Sequence, residues 1–363
     1  MQCKRYFPPE LWSEFQNKIA THVELQTIGY SVLGRPIVAL KLGAGSKKIL
    51  MWSQMHGNET TTTKALIDFI PWFLESNQKE LQNKLTLFIV PQLNPDGAKA
   101  YSRLNANSID LNRDAAFLSQ PESIALRKLF NSFSPDYCLN LHGQRTIYAA
   151  GINGPSASIS FLAPAANEDR SITSARKIAM QHIAALVNEL KPFVSHGIGR
   201  YDDTFNSNCV GDTFTKLGIP TILFEAGHVP GDYQREISKK YILKAYKIFC
   251  QNCVNQTFYS SYEDYFDIPE NKADFVDIVV SGVRIKNNNK ILENQFLAIQ
   301  FEETLKNDSI HFIPVMHSFR SSPTQRAHRN VSNPSGQSKL IIEFKAEKSL
   351  NQDQIDILFP ENQ

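Results

Sequence analysis

The chain has 363 residues, enough for one large domain with a small one or for two of medium size. Its 42% hydrophobic and 20% charged content is ordinary for a globular protein, and its formal net charge is only +2. That balance offers no basic field to a nucleic acid, and no run approaches the roughly 18 apolar residues of a membrane span, so neither is expected as a partner.

Met1 to Pro9 lacks the apolar stretch of a signal peptide, so a cytoplasmic location is expected unless a leader has been removed. Five cysteines, an odd count at low density, agree with a reducing compartment. Cys250 and Cys253 form a C-x-x-C within a helical stretch and, with no second pair, read as structural thiols.

In chain order, Pro8-Pro9-Glu10 begins an amphipathic helix running to about His22, followed by strands Val23 to Ile28 and Ile37 to Leu42 joined by a glycine-containing turn. Lys48 to Gln54 is an apolar run expected of a strand buried on both faces. Ala65, Leu66, Phe69, Ile70 and Phe73 keep helical spacing in a helix that Pro71 should kink or end early. Leu85 to Val90 is the next buried strand and delivers Asn94-Pro95-Asp96-Gly97, a turn by composition. A helix starting at Pro121, a strand over Tyr137 to Leu141 and a loop from Ala149 to Ala166 come next. The helix Ser174 to Leu190, the strand Pro220 to Phe224 and the helix Tyr233 to about Asn255 close the unit.

Alternating strands and helices predict an α/β fold with a mixed, mostly parallel sheet covered by helices on both faces. Near residue 262 the composition changes to strands (Val276 to Ile285, Phe296 to Glu302, Ser309 to Met316, Lys339 to Phe344), with Asn287-Asn288-Asn289 as a hairpin turn. The division expected is therefore a catalytic domain over 1–261 and a small, mainly-β region of unknown role over 262–363. Ser318 to Gln337, with Arg320, Arg326, His328 and Arg329, reads as a solvated loop.

His56, Asn94, His142 and Glu225 each come just after a predicted strand, so one rim carries the reactive groups, as in other open α/β sheets. A hydrolytic zinc needs about three protein ligands. His56 and Glu59, separated by two residues in a turn, supply two, and His142 is the natural third, a His₂Glu set taken from known zinc hydrolases and not dictated by these residues alone. His22, His182 and His196 fall on helix surfaces or loops and His311, His317 and His328 in the C-terminal part, which leaves His228 as the rival. Glu225, emerging from a buried strand, is the best carboxylate for a general base. Arg103 and Arg113 could serve an oxyanion and a substrate carboxylate.

Taken in order, Gly34-Arg35-Pro36-Ile37, His56-x-x-Glu59, Asn94-Pro95-Asp96-Gly97, Arg103, Asp110-Leu111-Asn112-Arg113, His142 and Phe224-Glu225 resemble the zinc carboxypeptidase family of metallopeptidases in its compact bacterial form. The resemblance covers residues 25 to 250 and leaves the C-terminal region outside it. It implies one Zn²⁺ per chain on His56, Glu59 and His142, with Glu225 as base and proton shuttle and Arg103 at the oxyanion. It also implies that Asn112 and Arg113 hold the substrate's terminal carboxylate and that Asp110 accepts a hydrogen bond from the first zinc histidine. The family's mobile tyrosine has no clear counterpart: Tyr201 is the candidate, and the nearer Phe205 has no hydroxyl. Glu225-Ala226-Gly227-His228 departs from the family's digestive enzymes and leaves side-chain preference unread.

The activity so implied is zinc-dependent hydrolysis of an amide next to the free C-terminal carboxylate of a peptide, a cell-wall peptide among the candidates. One alternative is an N-acyl amino acid deacylase of the aspartoacylase or succinylglutamate desuccinylase type, acting on a small acyl-amino acid. Another is an inactive peptide-binding module. Oligomeric state is not legible.

Overall fold

The computed structural model describes residues 5–255, 260–288, 290–322, 325–332 and 341–358. The chain opens with α1 (Pro9–Ile19), the hairpin β1 (Glu24–Tyr30) and β2 (Pro36–Leu42), β3 (Lys47–Ser53), α2 (Thr61–Leu74) and α3 (Lys79–Lys84). β4 (Leu85–Val90), α4 (Pro95–Ala100), α5 (Pro121–Phe133) and β5 (Tyr137–Gly143) come next. Then come β6 (Tyr148–Ala150), β7 (Ala157–Leu162), α6 (Ser174–Leu190), β8 (Gly197–Arg200), α7 (Val210–Lys216), β9 (Thr221–Ala226) and α8 (Glu236–Asn255).

Apart from β6, these strands form one eight-stranded sheet in the order β1-β2-β4-β3-β5-β9-β7-β8. β4, β3, β5 and β9 run parallel at its centre, while β1, β2 and β4 meet antiparallel and β7 runs antiparallel to β9. Strand alternation sorts the side chains onto two cores. Ile49 and Met51 face α1, α2, α6 and α8, whereas Leu50 and Trp52 face α5 and α7. The expected mixed sheet with helices on both faces is thus present.

Several local expectations change. Pro71 does not end α2 early, because it sits in the last turn of a helix that runs on to Leu74. Asn94-Pro95-Asp96-Gly97 is not a free turn but the start of α4, where Asn94 Oδ1 accepts from the Gly97 amide at 2.8 Å and Pro95 takes the first helical position. Asp96 then docks the β1–β2 turn, accepting from Leu33 N at 2.9 Å and pairing with Arg35 at 2.5 Å. The loop expected from Ala149 to Ala166 contains β7, disguised by serines that stay inside because each hydroxyl has a partner. Ser156 bonds His228 O at 2.7 Å, Ser158 bonds Gly197 O at 3.1 Å and Ser160 bonds Asn271 Oδ1 at 3.1 Å.

Beyond α8, β10 (Asn271–Ala273) pairs antiparallel with β6, tying the C-terminal region to the α/β unit. β11 (Phe275–Asn287), β12 (Lys290–Lys306) and β13 (Ser309–Arg320) make an antiparallel meander. β14 (Arg326–Ser332) and β15 (Ile341–Glu343) join β11 in parallel, and α9 (Gln352–Leu358) ends the described chain. Lys339 and residue 340 of the expected last strand lie outside the described residues, as do Asn289 of the hairpin turn and residues 323, 324 and 333–337 of the polar tract. The described part of that tract is not a solvated loop, since Arg326 to Ser332 form β14 and His328 stacks on Phe275 with ring centroids 4.6 Å apart. Among the described residues no helix is long and apolar enough to cross a membrane.

His182 also departs from expectation, lying buried on the inner face of α6 against Tyr137 and Phe249, with centroids at 4.9 and 5.1 Å. Burial pushes its imidazole down to about 3. Between that value and the ordinary 6.5 or so, the unfolded chain takes up a proton that the folded chain refuses, so stability present above the unfolded pKa is lost as pH falls. Chemical denaturation at about pH 7 and about pH 4.5 should show wild type losing about 2 kcal/mol more than His182→Leu over that interval.

Candidate active site

The rim at the carboxyl ends of β3, β5 and β9 gathers the expected groups. His142 and Glu225 are register partners on β5 and β9, so their side chains leave the same face of the sheet one strand apart. His56 gets there by a bend. Gln54, the residue after β3, adopts φ 43°, a left-handed conformation uncommon for a non-glycine residue. Its amide is fully buried, donating to Gly57 O at 2.8 Å and accepting from Gln92 Nε2 at 3.1 Å. Gly57 is required by close approach, because a Cβ there would stand 1.9 Å from the backbone carbon of Gly97. Asn94 Nδ2 donates to Met55 O at 3.2 Å, so Asn94 supports the His56 loop and does not enter the reactive cluster.

Within that frame His56 Nδ1 lies 2.8 Å from Glu59 Oε1, His142 Nδ1 lies 2.8 Å from Glu59 Oε2, and the two Nδ1 atoms are 3.2 Å apart. Donors about 2.0–2.1 Å from one tetrahedral ion would be separated by about 3.3 Å, close to this spacing. The second nitrogen of His56 donates to Asp110 Oδ1 at 3.0 Å, which leaves a lone pair on Nδ1 of the neutral ring aimed at a carboxylate. One nitrogen from each of His56 and His142 and one oxygen of Glu59 lie within 4.8 Å of one another, so the donor set fits a metal ion, and these three residues could hold one. Among the described residues they are the only such group found.

Charge is set by this crowding. Burial raises the Glu59 carboxyl, but the imidazoles of His56 and His142 outweigh it and hold the group well below the usual range. Burial lowers His56, yet Glu59 and Asp110 bring it above its ordinary value, while burial dominates at His142 and depresses it. Glu225 is raised well above the normal carboxylate range by burial and then by repulsion from Glu59, and its Oε2 has no hydrogen-bond partner among the described residues.

Arg103 sits over the cluster, donating to Asp110 Oδ2 through Nε at 3.1 Å and Nη2 at 3.0 Å and approaching Glu59 Oε1 at 3.4 Å. Asp110 Oδ1 accepts in addition from the Asn112 amide at 2.9 Å, shaping the turn that presents Asn112 and Arg113. Asn112 Oδ1 accepts from Val210 N at 3.0 Å, and Arg113 Nη1 lies 3.0 Å from Cys209 Sγ. Tyr201 lines the same cleft with its hydroxyl on that of Tyr148 at 3.0 Å. Thr204 and Phe205 line it as well. His228 does not join the group formed by His56, Glu59 and His142: it is buried against Tyr233 and His328 with centroids at 4.8 and 4.4 Å.

The cleft occupies about 1140 Å³ and includes residues that the motifs did not suggest. Tyr148 carries no signal beyond its nearness to His142. Arg235 is buried, donating to Gln144 O at 3.0 Å and to the carbonyls of Ala226 and Gly227, and so locks the ends of β5 and β9 together. In sequence it is one more basic residue before a helix.

Residues 10–118 match the family model described as zinc carboxypeptidase. Carboxypeptidase M of Mus musculus is 27% identical over 226 residues, 53% of this chain and 49% of that protein. Carboxypeptidase 2 of Trichophyton rubrum is 31% identical over 102 residues, 27% of this chain and only 19% of that protein. The chain thus spans half or less of the length of these relatives. Among solved structures, a metallo-carboxypeptidase from Burkholderia cenocepacia superposes with a TM-score of 0.57 at 16% identity, over 70% of each chain. Carboxypeptidase A from Helicoverpa armigera gives 0.54 at 16%, over 70% of this chain and 77% of that one. The structural likeness is one of fold, and the family match over residues 10–118, the sequence matches and the ordered motifs support a zinc carboxypeptidase-family protein.

Proposed function

We propose that the protein is a zinc-dependent metallocarboxypeptidase that hydrolyses the amide next to a free C-terminal carboxylate of a peptide, and that residues 1–261 form its catalytic domain. The observation that carries this reading is the convergence of His56 Nδ1, His142 Nδ1 and the Glu59 carboxylate within 4.8 Å, with Glu225 one strand away. Zinc, when bound by these three residues, supplies a Lewis acid that polarises a carbonyl and makes water more acidic.

The chain's own groups account for the rest. Arg113, with Asn112, offers charged and amide donors to a terminal carboxylate, which fixes which bond lies over the donor cluster. Glu225, buried and raised in pKa, is suited to take a proton from the attacking water and return it to the leaving amine. Arg103 is the cation nearest to where negative charge develops on the carbonyl oxygen. Tyr201, beside Tyr148, is a hydroxyl donor for the substrate. A cell-wall peptide is one substrate that meets the carboxylate requirement, and a cytoplasmic location is part of the same proposal.

Glu225→Gln should lower kcat by about 10²–10⁴-fold with its bound metal retained, as read by steady-state kinetics and metal analysis. Arg113→Ala should cost roughly 1.5–3 kcal/mol, mostly as a raised KM, on peptides with a free C-terminus. Hydrolysis of C-terminally amidated peptides as fast as free ones, or of N-acyl amino acids alone, would replace this reading by the deacylase one. Asp110→Ala should weaken zinc binding by about 10–100-fold in competition with a chromophoric chelator, because His56 loses the partner that orients its ring.

A further inference from the structure

The cleft has two flanks, and they come from different parts of the chain. Asn112 and Arg113 stand on the α5/α7 side of the sheet, where Leu111 and Ala115 join the core under those helices and Asn112 accepts from the first amide of α7. The opposite flank stands on the α2/α8 side. There Arg5 bonds Thr61, the first residue of α2, at 3.0 Å, and Tyr233 and Arg235 closely precede α8. This second flank is completed by β12 and β13, which contribute Phe301, Phe312 and Val315 to the cleft lining. His56, Glu59, His142 and Glu225, at the strand ends, lie between the two.

The second flank is fixed in place. Gln300 Nε2 donates to Thr146 Oγ1 at 2.8 Å and the His328 ring donates to Thr146 O at 2.7 Å, both on the loop after β5. The Tyr233 hydroxyl bonds Asp277 at 3.0 Å, and its ring packs on Phe301 and Phe312 with centroids at 5.1 and 5.3 Å. Glu303 on β12 reaches into the α/β unit, accepting from Arg5 at 3.0 and 3.1 Å and bonding the Tyr101 hydroxyl. A side chain so anchored does not swing aside for a ligand without leaving buried polar groups unpaired.

A substrate whose carboxylate rests on Arg113 has one residue between that clamp and the donor cluster, so everything on the acyl side of the scissile bond must leave over the α2/α8 flank. We propose that the C-terminal sheet is the acyl-side wall of the cleft, restricting substrates to short peptides and presenting Phe301, Phe312 and Val315 to the residue before the scissile bond. This rests on the carboxypeptidase reading above. Phe301, Phe312 and Val315, set among Gln300, Glu302 and His317 on the same wall, favour an apolar or aromatic residue at that position, and a long chain would have to displace the sheet.

The test uses the full chain and peptides that share one C-terminal residue but carry one to six residues on the acyl side. Two quantities are read: kcat/KM of the zinc-loaded wild type, and Kd by calorimetry on Glu225→Gln. Both should worsen at least about tenfold once the acyl side exceeds about three residues. Phe312→Ala should raise the long-to-short ratio at least about fivefold, and Val315→Trp, adding bulk at a partly buried position, should lower it. Turnover and binding independent of length, or a ratio unmoved in both variants, would overturn the wall while leaving the carboxypeptidase reading intact. Absence of turnover and binding at every length would overturn both.

Discussion

Two imidazoles and two carboxylates held out of water at the ends of three parallel strands are the constraint that the rest of this molecule serves. Isolated, each charge would cost several kcal/mol to bury, and only mutual compensation makes the cluster tolerable. Glu59 is the pivot, with one oxygen toward each histidine and an additional bond from the Gly143 amide at 3.0 Å. Around it the fold concentrates its unusual features: the left-handed Gln54, the glycine at position 57 pressed on α4, the Asn94 cap and the buried Arg235 tying β5 to β9. Removing any of these would leave the donors present but misplaced. A shift of about 1 Å in a site of this kind is enough to lose most of its chemistry.

Much of this is legible in the chain because parallel strands are written plainly. A run such as Ile49 to Ser53, apolar on both faces, has few other homes than the centre of a covered sheet, and the topology of such sheets puts the residues just past each strand on one rim. His56, Glu59, His142 and Glu225 can therefore be assigned to one place from their positions in the chain. Polar structure that is satisfied internally stays hidden. The serines of β7 and the imidazole of His182 look like surface in sequence, and they are inside only because hydrogen bonds or ring packing, invisible to periodicity, compensate their burial. Asn94 misleads for a related reason, since a capping amide and a reactive amide are the same residue type.

The C-terminal strands are visible in the sequence, and their placement is not. Nothing in Val276 to Glu302 says which face of the α/β unit it will meet. That information is carried by single long-range pairs, Gln300 with Thr146, Asp277 with Tyr233 and Glu303 with Arg5. Such pairs join positions far apart in the chain and leave none of the local spacing that marks a helix face. The stretch from Arg326 to Ser332 adds a parallel strand to β11 across the intervening β12–β13 hairpin, which is why its basic composition misleads.

The bond between Arg5 and Glu303 joins the first described residue to one well into the C-terminal sheet, 298 positions apart. A ribosome makes the strands of the eight-stranded sheet before it makes β12, so a growing chain has His56, Glu59, His142 and Glu225 while the carboxylate that Arg5 pairs with has yet to be added. Domains tend to fold as units in the order of their synthesis. The α2/α8 side of the cleft is thus the last part of it for which the chain is complete, because β12 and β13 are made after every strand of the eight-stranded sheet.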